Sequence, residues 1–144
     1  ITEADKATQA QAEAGTDDAD YMTALKTAQA MAPDFESAEQ AVVKGSATTV
    51  AHGLGVRPTH AHLVMRCVTA EGGYSVGDEV TIMGTPRDVE ANGAWSARGM
   101  TVVTDATSLT LLVGAKHSRI LHKSTADFFA YTGANWKLVG RAWK

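Results

Sequence analysis

The sequence predicts a mainly β protein, with an antiparallel β-sandwich over residues 40–144 preceded by a short α-helical stalk over residues 1–32. The first segment is rich in Ala, Gln, Thr and Asp and contains no Val. From residue 40 onward, apolar and polar residues alternate in short runs separated by turn-forming segments such as "KGS" and "TGAN", which is typical of antiparallel sandwiches. Residues 33–39, "PDFESAE", are predicted to be a linker, because Pro33 removes a backbone donor and restricts the residue before it.

Two helices are predicted in the stalk. Thr2 followed by Asp5 fits an N-terminal capping box, and Gly15 is suited to end the first helix. A second helix is predicted to start near Thr23. Its apolar residues recur at helical spacing at Met22, Leu25, Ala28 and Ala32. Helices this short are marginal in water alone, so we expect them either to dock on their own domain or to associate with identical helices.

The strands of the β region are predicted from the alternation and the turns between them. They lie near 40–44, 47–52, 60–69, 78–83, 97–104, 108–114, 118–123, 126–131 and 135–143. Three rows on alternate positions are expected to form the core: Ala61, Leu63, Met65 and Cys67; Leu109, Leu111 and Val113; Trp136, Leu138 and Ala142. Trp143 is expected to face the other way, on an apolar and basic face suited to a subunit interface.

Bulk properties exclude several classes of protein. A net charge of −3 argues against an electrostatic nucleic-acid binder, and no apolar run approaches the ~20 residues of a membrane span. The single cysteine, Cys67, excludes an intrachain disulfide and a multi-cysteine zinc site. Because the chain starts at Ile1 without Met or a signal-peptide pattern, we expect a piece of a longer protein.

Three of the five histidines lie in "HGLGVRPTHAH", residues 52–62. His60 and His62 are two apart in a predicted strand, so both should leave the face opposite the core. Two imidazoles can begin a metal site, but without a third ligand the motif also fits an exposed or interface strand face. His52 precedes a glycine turn and is expected to fix that turn by hydrogen bonding.

The sequence carries no convincing catalytic motif, and we expect no enzyme. Asp78 and Glu79 are neighbours in a predicted strand and should point to opposite faces, which makes a poor glycosidase pair. No nucleophile elbow, phosphate-binding loop or HExxH motif occurs.

The segment 84–98, "GTPRDVEANGAWSAR", is the longest stretch without a strand pattern, and binding sites concentrate on such loops. An aromatic ring with guanidinium, carboxylate and amide groups is the usual equipment for sugar recognition. The candidate receptor-binding residues are Tyr74, Arg87, Asp88, Asn92, Trp95 and Arg98. Two alternatives are that Trp95 caps the sandwich core and that Tyr74 serves packing.

Two segments resemble bacteriophage tail-fibre proteins. Residues 7–31, "ATQAQAEAGTDDADYMTALKTAQAM", are similar to an Ala/Gln-rich helical module that precedes receptor-binding tips, with Ala24 where the family commonly has Pro. Residues 52–80, with "HGLG" and "GYSVGDE", and the closing 134–144 resemble the β-rich C-terminal domain of phage fibres and appendages.

The resemblance implies a homotrimer with a sandwich similar to H-type lectins, located on the virion, assembled in the host cytoplasm and joined to upstream fibre or virion proteins. Its implied function is adhesion to a host-surface receptor, a glycan or a protein. No cofactor is expected, with a metal ion held by His60 and His62 on the trimer axis as the alternative. No nucleic-acid partner or membrane insertion is expected. Other functions left open are a structural connector or capsid-decorating fibre without host ligand and, further from the pattern, a polysaccharide depolymerase.

Overall fold

The computed structural model describes residue 8 and residues 10–11, 24–82, 87–89, 95–97, 99–116 and 119–144; within 87–89 and 95–97 it describes the backbone. The chain divides into two compact units, Ile1–Pro33 and Asp34–Lys144.

In the first unit the structure describes helix α1 over Ala24–Met31, and Ala10 and Gln11 are also helical. Helix α1 confirms the helix predicted to start near Thr23, and Pro33 follows its end. Thr8 and Gln11 exchange hydrogen bonds, each backbone N–H donating to the other's side-chain oxygen, at 2.7 and 3.2 Å. This reciprocal pair is a capping box. The capping box predicted at Thr2 and the helix end predicted at Gly15 lie outside the described residues.

The second unit is built from short strands, and all but β1, β6 and β7 lie in the positions that the alternation predicts. In chain order they are β1 (Phe35–Glu36), β2 (Gln40–Ala41), β3 (Ala47–Ala51), β4 (His60–Cys67), β5 (Glu79–Thr81), β6 (Arg87–Val89), β7 (Trp95–Ala97), β8 (Met100–Thr104), β9 (Ser108–Val113), β10 (Arg119–Leu121), β11 (Phe128–Ala130) and β12 (Trp136–Trp143). A 3-10 turn, Gly133–Asn135, leads into β12.

The described strands pair antiparallel in two sheets and two ribbons. The larger sheet has the order β1-β12-β4-β5, with β2 also pairing with β12. The smaller sheet has the order β3-β9-β8, and β6–β7 and β10–β11 form two-stranded ribbons. The molecule is therefore mainly β and antiparallel, as predicted.

Two segments differ from their predicted roles. Phe35–Glu36, inside the segment predicted as a linker, forms β1 and pairs with Ala142 and Arg141 of β12. Segment 84–98, predicted to lack strands, contains β6 and β7, whose backbones pair Arg87 with Ala97 and Val89 with Trp95. Both differences have one cause: strands of two or three residues are too short to show a period of two in the sequence.

The core contains residues of both sheets and confirms the three predicted rows. Ala61 is partly buried, and all other members of the rows are buried. These are Leu63, Met65 and Cys67 of β4, Leu109, Leu111 and Val113 of β9, and Trp136, Leu138 and Ala142 of β12. Burying each large side chain stabilises the fold by about 1.5–3 kcal/mol. Gly140 of β12 lets the two sheets approach closely, since a Cβ there would lie 3.0 Å from Leu111 Cδ2.

Across the described residues, we find no helix with the length and apolar character needed to span a membrane.

Candidate functional site

The β6–β7 ribbon contains three of the candidate receptor-binding residues. Arg87 and Asp88 lie on β6. Trp95 lies on β7, directly across from Val89 of β6. Among the described strands, β6 and β7 pair only with each other. The backbone therefore brings these three positions into one small ribbon, while Asn92 and Arg98 lie outside the described residues.

Tyr74, the other candidate, is tied to the core. Its hydroxyl donates a 2.8 Å hydrogen bond to the carbonyl of Leu121, and its ring meets Trp136 edge-on at a centroid distance of 5.3 Å. Lys123 Nζ lies 5.8 Å above the same ring. Tyr74 thus joins the 71–74 turn to the β10–β11 ribbon, which fits the packing alternative, and its role in receptor binding stays a prediction.

On the face of the larger sheet opposite the core, five charged side chains contact one another and form what we call the arginine network: Arg66, Arg141, Glu36, Glu39 and Glu79. Arg141 binds Glu79 through two parallel hydrogen bonds of 2.8 and 2.9 Å and reaches Glu36 at 2.6 Å. Arg66 contacts Glu79 at 2.8 Å, Glu39 at 3.1 Å and Glu36 at 3.4 Å. The network connects β1, β12, β4 and β5.

The network passes over a pair of outward-facing valines. Val64 and Val139 are cross-strand partners on β4 and β12, and they are only 2% and 0% exposed. Because Arg66 of β4 reaches Glu36 on β1, its side chain must pass over β12, which lies between them. Arg141 of β12 must likewise pass over β4 to reach Glu79 on β5.

The carboxylates of the network are stabilised in their charged form. Hydrogen bonding to Arg141 is the main reason that the pKa of Glu36 and that of Glu79 lie below their ordinary value, against the opposing effect of burial. Both guanidinium groups are engaged with carboxylates, so the network is suited to holding strands together.

Beside the network, His60, His62 and Trp143 form an imidazole–tryptophan cluster. Trp143 is the cross-strand partner of His60, and Arg141 is the partner of His62. The ring of Trp143 lies 5.2 Å from His60 and 4.9 Å from His62, centroid to centroid, and the two imidazoles are 5.8 Å apart. The predicted outward direction of both histidines is confirmed.

The alternative of a metal ion bound by His60 and His62 requires a third ligand. Among the described residues, no group of three or more His, Cys, Asp or Glu side chains is arranged to hold an ion. His62 Nε2 is buried and has no hydrogen-bond partner among the described residues. Burial, then the charges of Arg141 and His60, lower the pKa of His62, with Glu79 opposing them. The cluster is therefore held together by ring packing.

His52 fixes the glycine turn, as predicted. It is buried, and its Nδ1 accepts a 3.1 Å hydrogen bond from the backbone N–H of Leu54. With Nδ1 acting as acceptor, the neutral ring carries its proton on Nε2, which donates to the carbonyl of Asp105 at 3.2 Å. His52 thereby connects the turn after β3 to the turn between β8 and β9.

Asp78, considered above as half of a catalytic pair, and Asp105 both stabilise turns through hydrogen bonds. Asp78 accepts a hydrogen bond from Ser75 N–H at 2.8 Å and pairs with Lys123. Asp105 accepts from the backbone and the hydroxyl groups of both Thr107 and Ser108. These contacts hold the pKa of Asp105 far below its ordinary value. A carboxylate held in this way serves as a hydrogen-bond acceptor.

The β10–β11 ribbon has an exposed apolar pair that the sequence analysis did not single out. Leu121 and Phe128 are cross-strand partners, 47% and 67% exposed. Ala126, in the turn between them, has a φ of 58°, the left-handed region that favours glycine. The signal was present in the sequence: adjacent Phe128 and Phe129 in one strand must place a ring on each face.

No protein-family model matches the chain, and no curated protein matches it significantly.

Proposed function

We propose that this chain is the distal part of a phage tail fibre or another virion appendage, and that its β unit binds a host-surface glycan. The observation that carries the proposal is the β6–β7 ribbon, whose register places Arg87 and Trp95 at positions of the same face, with Asp88 at the alternate position between Arg87 and Val89. The resemblance of residues 7–31 and 52–80 to phage fibre proteins supports the same function. In this proposal the two sheets form the layers of a sandwich, with the core residues of β4, β9 and β12 between them.

The chemistry of Arg87 and Trp95 suits a sugar. An indole can cover the apolar C–H face of a pyranose ring. A guanidinium group on the same face of the ribbon can donate hydrogen bonds to its hydroxyls. A single site of this size binds weakly, so adhesion would depend on several copies acting together.

Self-association through the helical unit would supply those copies. Helix α1 is eight residues long, below the length at which helices are stable alone. Its Leu25 and Met31 side chains are 66% and 73% exposed. Packing of α1 against identical helices in a homotrimer would bury them, and three linked sites would gain avidity without any new contact.

A glycan array probed with the whole chain tests the adhesion proposal. We expect binding to host polysaccharides that is lost in Trp95→Ala. The matched control is Phe128→Ala, which removes an exposed ring from the other ribbon and should leave binding intact. Loss of binding in Phe128→Ala with retention in Trp95→Ala would contradict the β6–β7 assignment.

A structural connector without host ligand is the second candidate. The exposed Leu25 and Met31 of α1 favour it, because they support self-assembly and do not bear on ligand binding. An absence of binding to every host polysaccharide on the array, together with a solution mass of three chains, would support the connector and overturn adhesion. Shortening of a host polysaccharide on incubation would instead show a depolymerase and contradict the expectation of no enzyme.

A further inference from the structure

We propose that His62 and Trp143 form an acid-sensitive latch at the end of β12, in which protonation of His62 separates it from Trp143 and loosens the last residues of the strand. This latch concerns the fold of the β unit and is independent of receptor binding.

The latch lies where β12 ends. The carbonyl of Trp143 accepts hydrogen bonds from the backbone and hydroxyl of Thr59, at 2.9 and 3.3 Å. The backbone N–H of Lys144 donates to Asp34 at 2.7 Å. Packing of Trp143 on His60 and His62 therefore contributes to holding the strand end in place.

The neutral form of His62 fits its surroundings and the charged form does not. Its Nε2 is buried, with no acceptor for an N–H among the described residues. Its direct cross-strand partner is the positively charged Arg141, and like charges in that position repel. A buried cation whose N–H has no acceptor carries the desolvation penalty of a charged group, which opposes the attraction between a cation and an indole ring. A protonated His62 should therefore turn toward water or a carboxylate and leave Trp143.

The other groups facing His62 do not relieve the conflict. His60 and Arg66 on β4 and Arg141 on β12 supply no carboxylate to pair with a charged His62. Glu79 on β5 and Glu36 on β1 are the nearby carboxylates, and both are held by arginines. A charged His62 can form an ion pair with Glu79 only in competition with Arg141, and this competition would weaken the arginine network as well.

His62 and the two carboxylates near the latch, Glu36 and Glu79, all have their pKa displaced downward. The pKa of His62 is lowered from 6.5, first by burial and then by Arg141 and His60. The pKa values of Glu36 and Glu79 are lowered from 4.5, mainly by Arg141. His62 therefore gains its charge below pH 6.5, and the two carboxylates lose theirs below pH 4.5.

The test follows three signals in the whole chain between pH 7.5 and 5. The first is the NMR titration of the His62 imidazole. The second is the exchange rate of the Thr59 amide, corrected for its intrinsic pH dependence. The third is quenching of Trp143 by acrylamide, assigned by difference from Trp143→Phe. We expect His62 to titrate below pH 6.5 and, at the same midpoint, a several-fold rise in Thr59 exchange and in quenching of Trp143.

Two variants separate the latch from general acid effects. His62→Gln should abolish both responses, whereas His122→Gln, on the β10–β11 ribbon, should retain them. The proposal is overturned if His62 titrates while Thr59 exchange and Trp143 quenching stay constant, or if His62→Gln responds to acid as the unaltered chain does. The imidazole titration and the Thr59 exchange are measured on the unaltered chain. They therefore still test the proposal if a variant folds poorly.

Discussion

The indole nitrogen of Trp136 donates a 2.9 Å hydrogen bond to Oε2 of Glu71. The same carboxylate accepts the backbone N–H of Thr132, at 2.9 Å to Oε1 and 3.0 Å to Oε2. Burial opposes ionisation, but the hydrogen bonds from Thr132, Trp136 and Asn135 outweigh it and lower the pKa of Glu71. One carboxylate thus satisfies the polar atom of the largest buried ring and fixes the approach to β12.

The first prediction concerns this carboxylate. Glu71→Ala leaves the N–H of Trp136 buried without a partner, which costs about 1–3 kcal/mol of unfolding free energy. Urea denaturation followed by far-UV circular dichroism measures the loss. Asp127→Asn, on the exposed turn of the β10–β11 ribbon, is the control and should stay within about 0.5 kcal/mol of the unaltered chain. Equal losses in the two variants would contradict the role assigned to Glu71.

The second prediction concerns His52, whose two ring nitrogens join two turns. His52→Ala removes the acceptor for Leu54 N–H and the donor for the Asp105 carbonyl and leaves a buried space, so we expect a loss of about 2–4 kcal/mol. The measurement is the midpoint of thermal unfolding. His122→Ala is the control, since His122 bonds locally to Ser124 on an exposed turn. A smaller loss in His52→Ala than in His122→Ala would show that the two turns do not depend on His52.

Much of the fold could be predicted because the period of two is strong in the long strands. β4, β9 and β12 are six to eight residues long, and their alternation gave the core rows and the outward direction of His60 and His62. The two-residue β1 and the three-residue β6 and β7 escaped prediction. Such strands are specified by their partners across the sheet, which a local pattern does not contain.

The arginine network could not be predicted for a related reason. Glu36 and Arg141 are 105 residues apart in sequence, and only the order β1-β12-β4-β5 brings them together with Arg66 and Glu79. Val64 and Val139 lie on the outer face and are nevertheless buried. Their burial follows from long arginine side chains crossing neighbouring strands, a property of the sheet order.

The third prediction is the pH dependence of this network. The pKa of Glu79 is lowered in the folded chain relative to its unfolded value of 4.5, so the folded state binds fewer protons there. Its contribution to stability is present above pH 4.5 and is lost as pH falls through the folded pKa. Glu79→Gln should remove about 1 kcal/mol at pH 7, allowing for solvent screening. The difference between the two chains should shrink toward pH 3.

Urea denaturation of both chains at pH 7, 5 and 3 measures this difference. Glu39→Gln is the matched control, since Glu39 has one contact with Arg66 at 3.1 Å whereas Glu79 binds both arginines. It should cost less at pH 7 than Glu79→Gln. A difference that grows as the pH is lowered would contradict the assigned sign.

The last prediction compares two glycines with the same backbone conformation and different surroundings. Gly72 has a φ of +59°, and a Cβ built there would lie 2.1 Å from Cζ of Phe129. Gly53 has a φ of +66° with no atom within 4 Å of the same point. Alanine at either position suffers backbone strain of about 1–2 kcal/mol. At position 72 it must also displace a ring packed against the core, which adds about 1–3 kcal/mol.

Gly72→Ala should therefore lower the midpoint of thermal unfolding clearly more than Gly53→Ala. Because Lys123 N–H donates to the carbonyl of Gly72 at 3.0 Å, displacing Phe129 should also loosen the β10–β11 ribbon. We expect faster amide exchange at Lys123 in Gly72→Ala and unchanged exchange there in Gly53→Ala. Similar midpoints for the two variants would mean that backbone strain alone sets the cost and that Phe129 yields freely, contrary to its packing against the core.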